Sequence, residues 1–188
     1  MGQREGQLSA KGRQQAREIA RRLNGEHIDC IYSSDLGRAV ETAEILCESL
    51  GSDMRIERRL REQHFGRYEG RPFMTLLRHM KKTGEEFLSL TPPGGEPPEV
   101  FRHRVRDFFG EAENQHRRDS ILLVTHYGVI TALLASLLGY SSGLFTKDCL
   151  AHGVILLADV DAGRALSLRY SGPAAGPARW SMLRGKEK

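Results

Sequence analysis

Apolar residues recur at helical spacing at Ala16, Ile19, Ala20 and Leu23, Ser9 stands where a hydroxyl can cap the helix they predict, and Asn24-Gly25 ends it. Residues 28–32 then read as a strand, and Asp35 opens a second helix with Ala39, Ala43, Leu46 and Leu50 on one face, closed by Gly51. Residues 54–60 are weakly strand-like and 60–70 form a loop. Pro72 suits the first turn of a third helix that turns Phe73, Leu76, Leu77 and Met80 inward. A fourth helix over 98–115 buries Phe101, Val105, Phe108 and Phe109, a buried strand follows at 121–124, and a fifth helix runs over 129–138 to Gly139. Strands at 154–160 and 165–170 flank the turn Asp161-Ala162-Gly163, and the Gly-, Pro- and Ala-rich stretch after Ser171 reads as a frayed tail.

Alternation of strands and helices predicts a three-layer α/β/α fold around a mostly parallel sheet, in one domain over residues 1–170 with a flexible tail at 171–188. Two of the strands end alike: Ile31-Tyr32-Ser33-Ser34-Asp35-Leu36-Gly37-Arg38 and Val124-Thr125-His126-Tyr127-Gly128 each pass from an apolar run to polar side chains just before a helix. In α/β proteins such switches gather at the carboxyl edge of the sheet, where ligands bind. The run Thr91-Pro92-Pro93-Gly94-Gly95-Glu96-Pro97-Pro98 is too short and rigid for a flexible linker and reads as a loop shaping a pocket rim.

Composition narrows the chemistry. At 188 residues and 39% hydrophobic content the chain can bury one ordinary core, and its net charge of +4 is carried mostly by arginine, which suits flat or bidentate anions. Cys30, Cys47 and Cys149 form no CxxC pair or even framework, so packing in a reducing compartment is expected. The first thirty residues lack a signal-peptide core and no run approaches membrane-spanning length, so a soluble, cytoplasmic protein without membrane attachment is expected.

GxGxxG and GxxxxGK[ST] are absent, and the seven histidines show no close ligand spacing, so neither a metal nor a cofactor is implied. What remains suits phosphate: Arg38 as a bidentate clamp, His126 as donor or nucleophile, and Glu62 as an acid. Each has a plainer reading. Arg38 could pair along its helix with Glu41 or Glu44, His126 could be a satisfied core histidine, and Glu62 could neutralise Arg58, Arg59 and Arg61. His64 and His103 could line a pocket or lie in solvent, and Glu69 could orient loop residues.

Residues 33–43, the loop Leu60-Arg61-Glu62-Gln63-His64-Phe65-Gly66-Arg67-Tyr68-Glu69-Gly70, and Val124-Thr125-His126-Tyr127-Gly128 resemble, in order and spacing, three motifs of the histidine phosphatase superfamily, the phosphoglycerate-mutase-like fold. Leu8-Ser9-Ala10-Lys11-Gly12-Arg13-Gln14-Gln15-Ala16 resembles the segment that follows that family's first motif. The resemblance implies that Arg38, with Tyr127 beside it, grips phosphoryl oxygens, that His126 stabilises the charge growing there, and that Glu62 protonates the leaving oxygen and then activates water. It implies a small phosphorylated metabolite as partner, a sugar phosphate or bisphosphate. The loop at 91–96 is similar to that of the fructose-2,6-bisphosphatase members and of compact bacterial-type phosphatases, although the stretch 109–121 lacks the long insertion of the former. The loop after Gly70 is not the long Lys- and Arg-bearing cap of the mutases.

In that family a histidine within Arg-His-Gly attacks the phosphoryl group, and this chain contains no Arg-His-Gly. The strand carrying it would lie inside the sheet, between the strand ending at His126 and that at 154–160, and its loss would leave two unpaired edges. A shortened chain is therefore expected, with a catalytically dead phosphoester-binding or protein-interaction module as the alternative. His64 and His152 are poorly placed to replace the nucleophile. Nucleic-acid binding rests only on the basic charge and on Arg55, Arg58, Arg59 and Arg61, with no aromatic platform, and is not expected. The oligomeric state is not encoded legibly.

Overall fold

The computed structural model describes residues 2–86, 89–138, 153–161, 164–171 and 181–182. Helix α1 (Ala10–Arg22) begins where Ser9 Oγ accepts from Gly12 N at 3.1 Å, as its sequence predicts. Strand β1 (Cys30–Ser33) starts two residues later than its apolar run suggests. Helix α2 (Gly37–Leu50) ends on Gly51 in the left-handed region (φ 68°), but its N-cap is Leu36, not Asp35. Asp35 instead accepts from Arg58 Nε (3.1 Å) and from Arg61 Nε and Nη2 (2.6 and 2.7 Å), so an ion-pair fork displaces the expected helix cap.

Strand β2 (Met54–Ile56) gives way to a 3-10 turn at Arg58–Leu60, and a second such turn spans Gly66–Tyr68. Helix α3 (Phe73–Thr83) has Pro72 as N-cap; Leu76 is fully buried and Leu77 half-buried. Helix α4 (Pro98–Gln115) and strand β3 (Ile121–Val124) have the bounds read from the sequence, except that Phe109 is only partly buried. Helix α5 (Tyr127–Leu138) starts two residues earlier than expected, and the residue expected to close it, Gly139, lies outside the described residues.

Strands β2, β1 and β3 form a parallel sheet in that order, with Ser33 level with Val124 and Ile56. Period-two alternation then divides the core in two. Ile31, Leu122 and Val124 face α1 and α2, packing with Ala20, Ala39, Ala43 and Leu46. Cys30, Tyr32, Ile121 and Leu123 face α4 and α5, packing with Phe101, Val105, Phe108, Val129 and Leu133. The three-layer expectation is met by this sheet and its four helices. Full burial of each large apolar side chain contributes about 1.5–3 kcal/mol, so the two faces fix the sheet's position between the helix layers.

A third cluster of Phe65, Leu76 and Leu90, with Tyr68 and Met80 against it, holds α3 to the 60–70 loop. The 91–98 loop packs on that loop rather than standing free: a Cβ on Gly66 (φ 50°) would lie 2.3 Å from Pro93 O, so only glycine fits there.

The closing strands β4 (Ile155–Asp161) and β5 (Arg164–Ser171) pair antiparallel, and β6 (Ser181–Met182), which the tail's composition did not suggest, adds to β5. The turn at Ala162 and Gly163 lies outside the described residues, as do Cys149 and His152. Among the described residues no ladder joins β3 to β4: the strands make two sheets that part between them. No helix of the described residues is long and apolar enough to cross a membrane.

Candidate active site

Because β1 and β3 are parallel neighbours in register, their carboxyl ends coincide, and Ser34 N donates to Val124 O at 3.0 Å. The chain leaves both ends into helices, so Arg38 in the first turn of α2 and His126 just before α5 meet: Arg38 Nη2 lies 3.2 Å from His126 Nδ1. A guanidinium can only donate, so Nδ1 accepts and the ring proton sits on Nε2, which donates to Ser34 Oγ at 2.9 Å. Only 8% of His126 is exposed. Burial, then the charges of Arg38 and Arg104, pull its pKa down to about 3, so it is a neutral imidazole near pH 7.

Glu62 reaches the same place by a different route. Thr125 Oγ1 donates to Leu60 O at 2.8 Å and Glu57 N to Ser33 O at 2.8 Å, which straps the 57–62 loop across the strand ends. The Glu62 carboxylate, on a residue 7% exposed, accepts from Gly128 N at 3.0 Å and from Gln63 N at 2.8 Å. A Cβ on Gly128 would lie 2.2 Å from Glu62 Oε1, so the close approach requires glycine at the head of α5. Burial pushes the carboxyl pKa up, against the two N–H bonds and then Arg38 and Arg104, which favour the anion. Burial is the largest of these influences, and a raised carboxyl is what a proton donor near neutrality needs.

Arg38 is half-buried yet has no carboxylate at ion-pair distance among the described residues. Its donors go to Gly2 O (2.7 Å), Arg4 O (3.1 Å) and the neutral His126. The expected helix pairings fail for a visible reason: Glu41 is taken by Arg13 and by Leu8 N. Residues 2–4 are held over the guanidinium by Glu69, which accepts from Gln3 N (3.1 Å), Arg4 N (2.9 Å) and Phe65 N (2.7 Å). Glu69 thus orients loop backbone, as one reading of the sequence has it.

Glu62 does not neutralise its arginine neighbours. Arg58 and Arg61 pair with Asp35, and Arg59 pairs with Glu57 and Glu111, so most of the basic cluster is neutralised internally. Tyr127 adjoins His126 in sequence and is half-buried; burial raises its pKa, and Thr131 one turn on is its side-chain partner. The structure therefore assembles Arg38, His126 and Glu62, while the Tyr127 side chain is drawn along its own helix. His103 pairs with Asp107 on an exposed face of α4, and His64 Nδ1 accepts from Gly66 N. Among the described residues no group of three or more His, Cys, Asp or Glu could hold a metal ion. Cys30 and Cys47 are free thiols whose pKa values burial raises.

Sequence reasoning missed three parts of this site: Ser34, which accepts from His126 Nε2, and Glu96 with Arg104, which hold the Glu62 loop from behind. A signal for Arg104 was present. It lies three residues after Phe101 and four before Phe108, so it interrupts the buried stripe of α4, and a cation there needs buried acceptors.

The chain matches the histidine phosphatase superfamily (branch 1) over residues 1–170. It is 34% identical over 142 residues to a Hydrogenobacter thermophilus protein provisionally named phosphoserine phosphatase 2, covering 73% of this chain and 70% of that one. It is 42% identical over 106 residues to the fructose-2,6-bisphosphatase TIGAR of Xenopus tropicalis, covering 54% of this chain and 38% of that one. The structure resembles Bacillus stearothermophilus YhfR (TM-score 0.76, 25% identity, 95% and 89% of the chains) and a mycobacterial glucosyl-3-phosphoglycerate phosphatase (TM-score 0.67, 27% identity, 97% and 87%). With its strand-end arginine, histidine and buried glutamate, this chain belongs to the histidine phosphatase superfamily.

Proposed function

We propose that Arg38, His126 and Glu62 form the phosphate-binding and proton-donating part of a phosphomonoesterase acting on a small phosphorylated metabolite. The observation that carries this reading is Arg38, a half-buried cation with no carboxylate at ion-pair distance among the described residues, set at the heads of two helices beside a neutral imidazole. A phosphoryl group would take the donors that now hold the Gly2 and Arg4 carbonyls. Glu62, protonated, would give its proton to the leaving oxygen as the P–O bond breaks. A sugar phosphate or bisphosphate fits best, and identity to a fructose-2,6-bisphosphatase supports that compound as the first to try.

Neither the covalent step nor the whole protein's activity is carried by these three residues alone. Both ring nitrogens of His126 are engaged, and the sequence contains no Arg-His-Gly. The engagement of both His126 ring nitrogens favours a second reading, a phosphoester-binding module without turnover.

Hydrolysis of a panel of sugar phosphates, phosphoglycerates and phosphoserine should be measured for the 188-residue chain and for a form bearing an Arg-His-Gly strand ahead of Leu8. Turnover only in the histidine-bearing form, with phosphate binding in both, is expected. Turnover in the chain alone would mean another nucleophile, binding without turnover in either form supports the module, and no binding at all removes both readings.

A further inference from the structure

We infer that Arg104 is a positioning residue that sets the Glu62 carboxyl by clamping the main chain on which it stands, with Glu96 orienting the clamp. The inference rests on the assignment of Glu62 as proton donor only for its catalytic consequence. All five N–H groups of Arg104 are engaged. Nη1 donates to Arg59 O and Arg61 O (2.6 and 2.7 Å), Nη2 to Glu62 O and Glu96 Oε2 (3.0 and 2.8 Å), and Nε to Glu96 Oε1 (2.7 Å). Three carbonyls within four residues thus converge on one planar fork, and Phe101 lies against its face at 4.9 Å. Lysine, with three donors and no plane, cannot make this set.

The clamp also ties two loops together. Glu96 N donates to His64 O at 2.8 Å, and Gln63 Nε2 donates to Glu96 O and Leu90 O (2.9 and 3.2 Å), so the 91–98 loop and the 59–64 loop share one hydrogen-bonded block. That block gives the Pro-Pro-Gly-Gly-Glu segment a role behind the acid. Glu62 projects from it toward the head of α5, where Gly128 N receives it. The charged and titratable groups around Glu62 are Arg38 from α2, Arg104 from α4 and Tyr127 from α5, with Glu96 on the far side of Arg104.

The test is a carbon-13 NMR titration of the Glu62 carboxyl in the 188-residue chain, in Arg104→Lys and in Glu96→Gln. Arg104→Lys keeps the charge and removes the fork, so a change reports position rather than field. In Arg104→Lys the Glu62 midpoint should fall toward that of exposed glutamates as the loop relaxes and water reaches the carboxyl. Glu96→Gln should shift it the same way by less. Leu46→Ala, buried on the opposite face of the sheet, should lower stability and leave the midpoint alone. An unchanged midpoint in both clamp variants, or an equal shift in Leu46→Ala, would overturn the inference, and Glu96→Gln decides if Arg104→Lys does not fold. In a histidine-bearing form Arg104→Lys should lower kcat about 10- to 100-fold with a smaller change in KM. A midpoint that moves while no form hydrolyses a phosphoester would leave the clamp standing and remove the catalytic reading.

Discussion

Arg38 and Arg104 are both half-buried guanidiniums aimed at main-chain carbonyls, and they differ in what completes them. Arg104 uses all five donors and is matched by the Glu96 carboxylate. Arg38 makes three bonds, to two carbonyls and one neutral ring, and has no carboxylate at ion-pair distance among the described residues. Glu62, Glu69 and Glu5 act on Arg38 only from beyond ion-pair distance, which leaves its donors on neutral acceptors that an anion could displace. One arginine is therefore ion-paired within the fold, and the other is the one proposed to take a phosphoryl group.

Removing each in turn should separate them most sharply. Arg104→Ala leaves Glu96 and three carbonyls without their donor and should cost about 3–5 kcal/mol, read from urea unfolding. Arg38→Ala should leave stability nearly unchanged while weakening inorganic phosphate binding about 100-fold, roughly 2.7 kcal/mol, read by calorimetry. If both variants unfold alike, the contrast is wrong.

The neutral ring beside Arg38 adds a pH dependence. His126 has its folded pKa depressed from 6.5 to about 3, so its contribution is complete above pH 6.5 and is lost as pH falls toward 3. At pH 5 the loss is roughly 2 kcal/mol, from about 1.5 units at 1.36 kcal/mol each. Glu62, raised by burial, works in the opposite sense, its contribution being full below its ordinary 4.5 and lost as pH rises through its folded value. Unfolding of wild type and His126→Gln, compared from pH 7 to 4, isolates the histidine: the glutamine variant should lose less stability across that range.

The smallest effect concerns the carbonyls that now cover Arg38. Glu69→Gln removes an acceptor from the backbone N–H groups of residues 3 and 4 and should loosen them, raising phosphate affinity a few-fold, since each displaced hydrogen bond is worth about 1 kcal/mol. Unchanged or weaker binding would mean that this segment does not compete with the anion.

Elements governed by neighbours three or four residues apart were legible in the sequence: α4 and β3 have their expected bounds, and Ser9 caps α1 as a hydroxyl should. Arg38 and His126 were legible because a strand end followed by a helix is itself a local pattern. Asp35 was misread because its partners, Arg58 and Arg61, lie 23 and 26 residues on, and a charged fork outweighs a cap worth about 1 kcal/mol. Glu62 was a candidate acid in sequence with an equally plain alternative, since it stands among arginines that turn out to be paired elsewhere. Arg104 was marked only by its place in the buried stripe of α4; the three carbonyls it bonds, 42 to 45 residues away, leave no mark in a sequence.

The bond from Gly128 N to the Glu62 carboxylate ties the acid to the first turn of α5. An anionic cap holds a helix start more firmly than a neutral one, so each proton that Glu62 takes up or gives away slackens or tightens that turn. The amide of Gly128 is then a built-in gauge: its exchange with solvent deuterium should quicken as Glu62 is protonated, reporting the charge of the acid without substrate and without turnover.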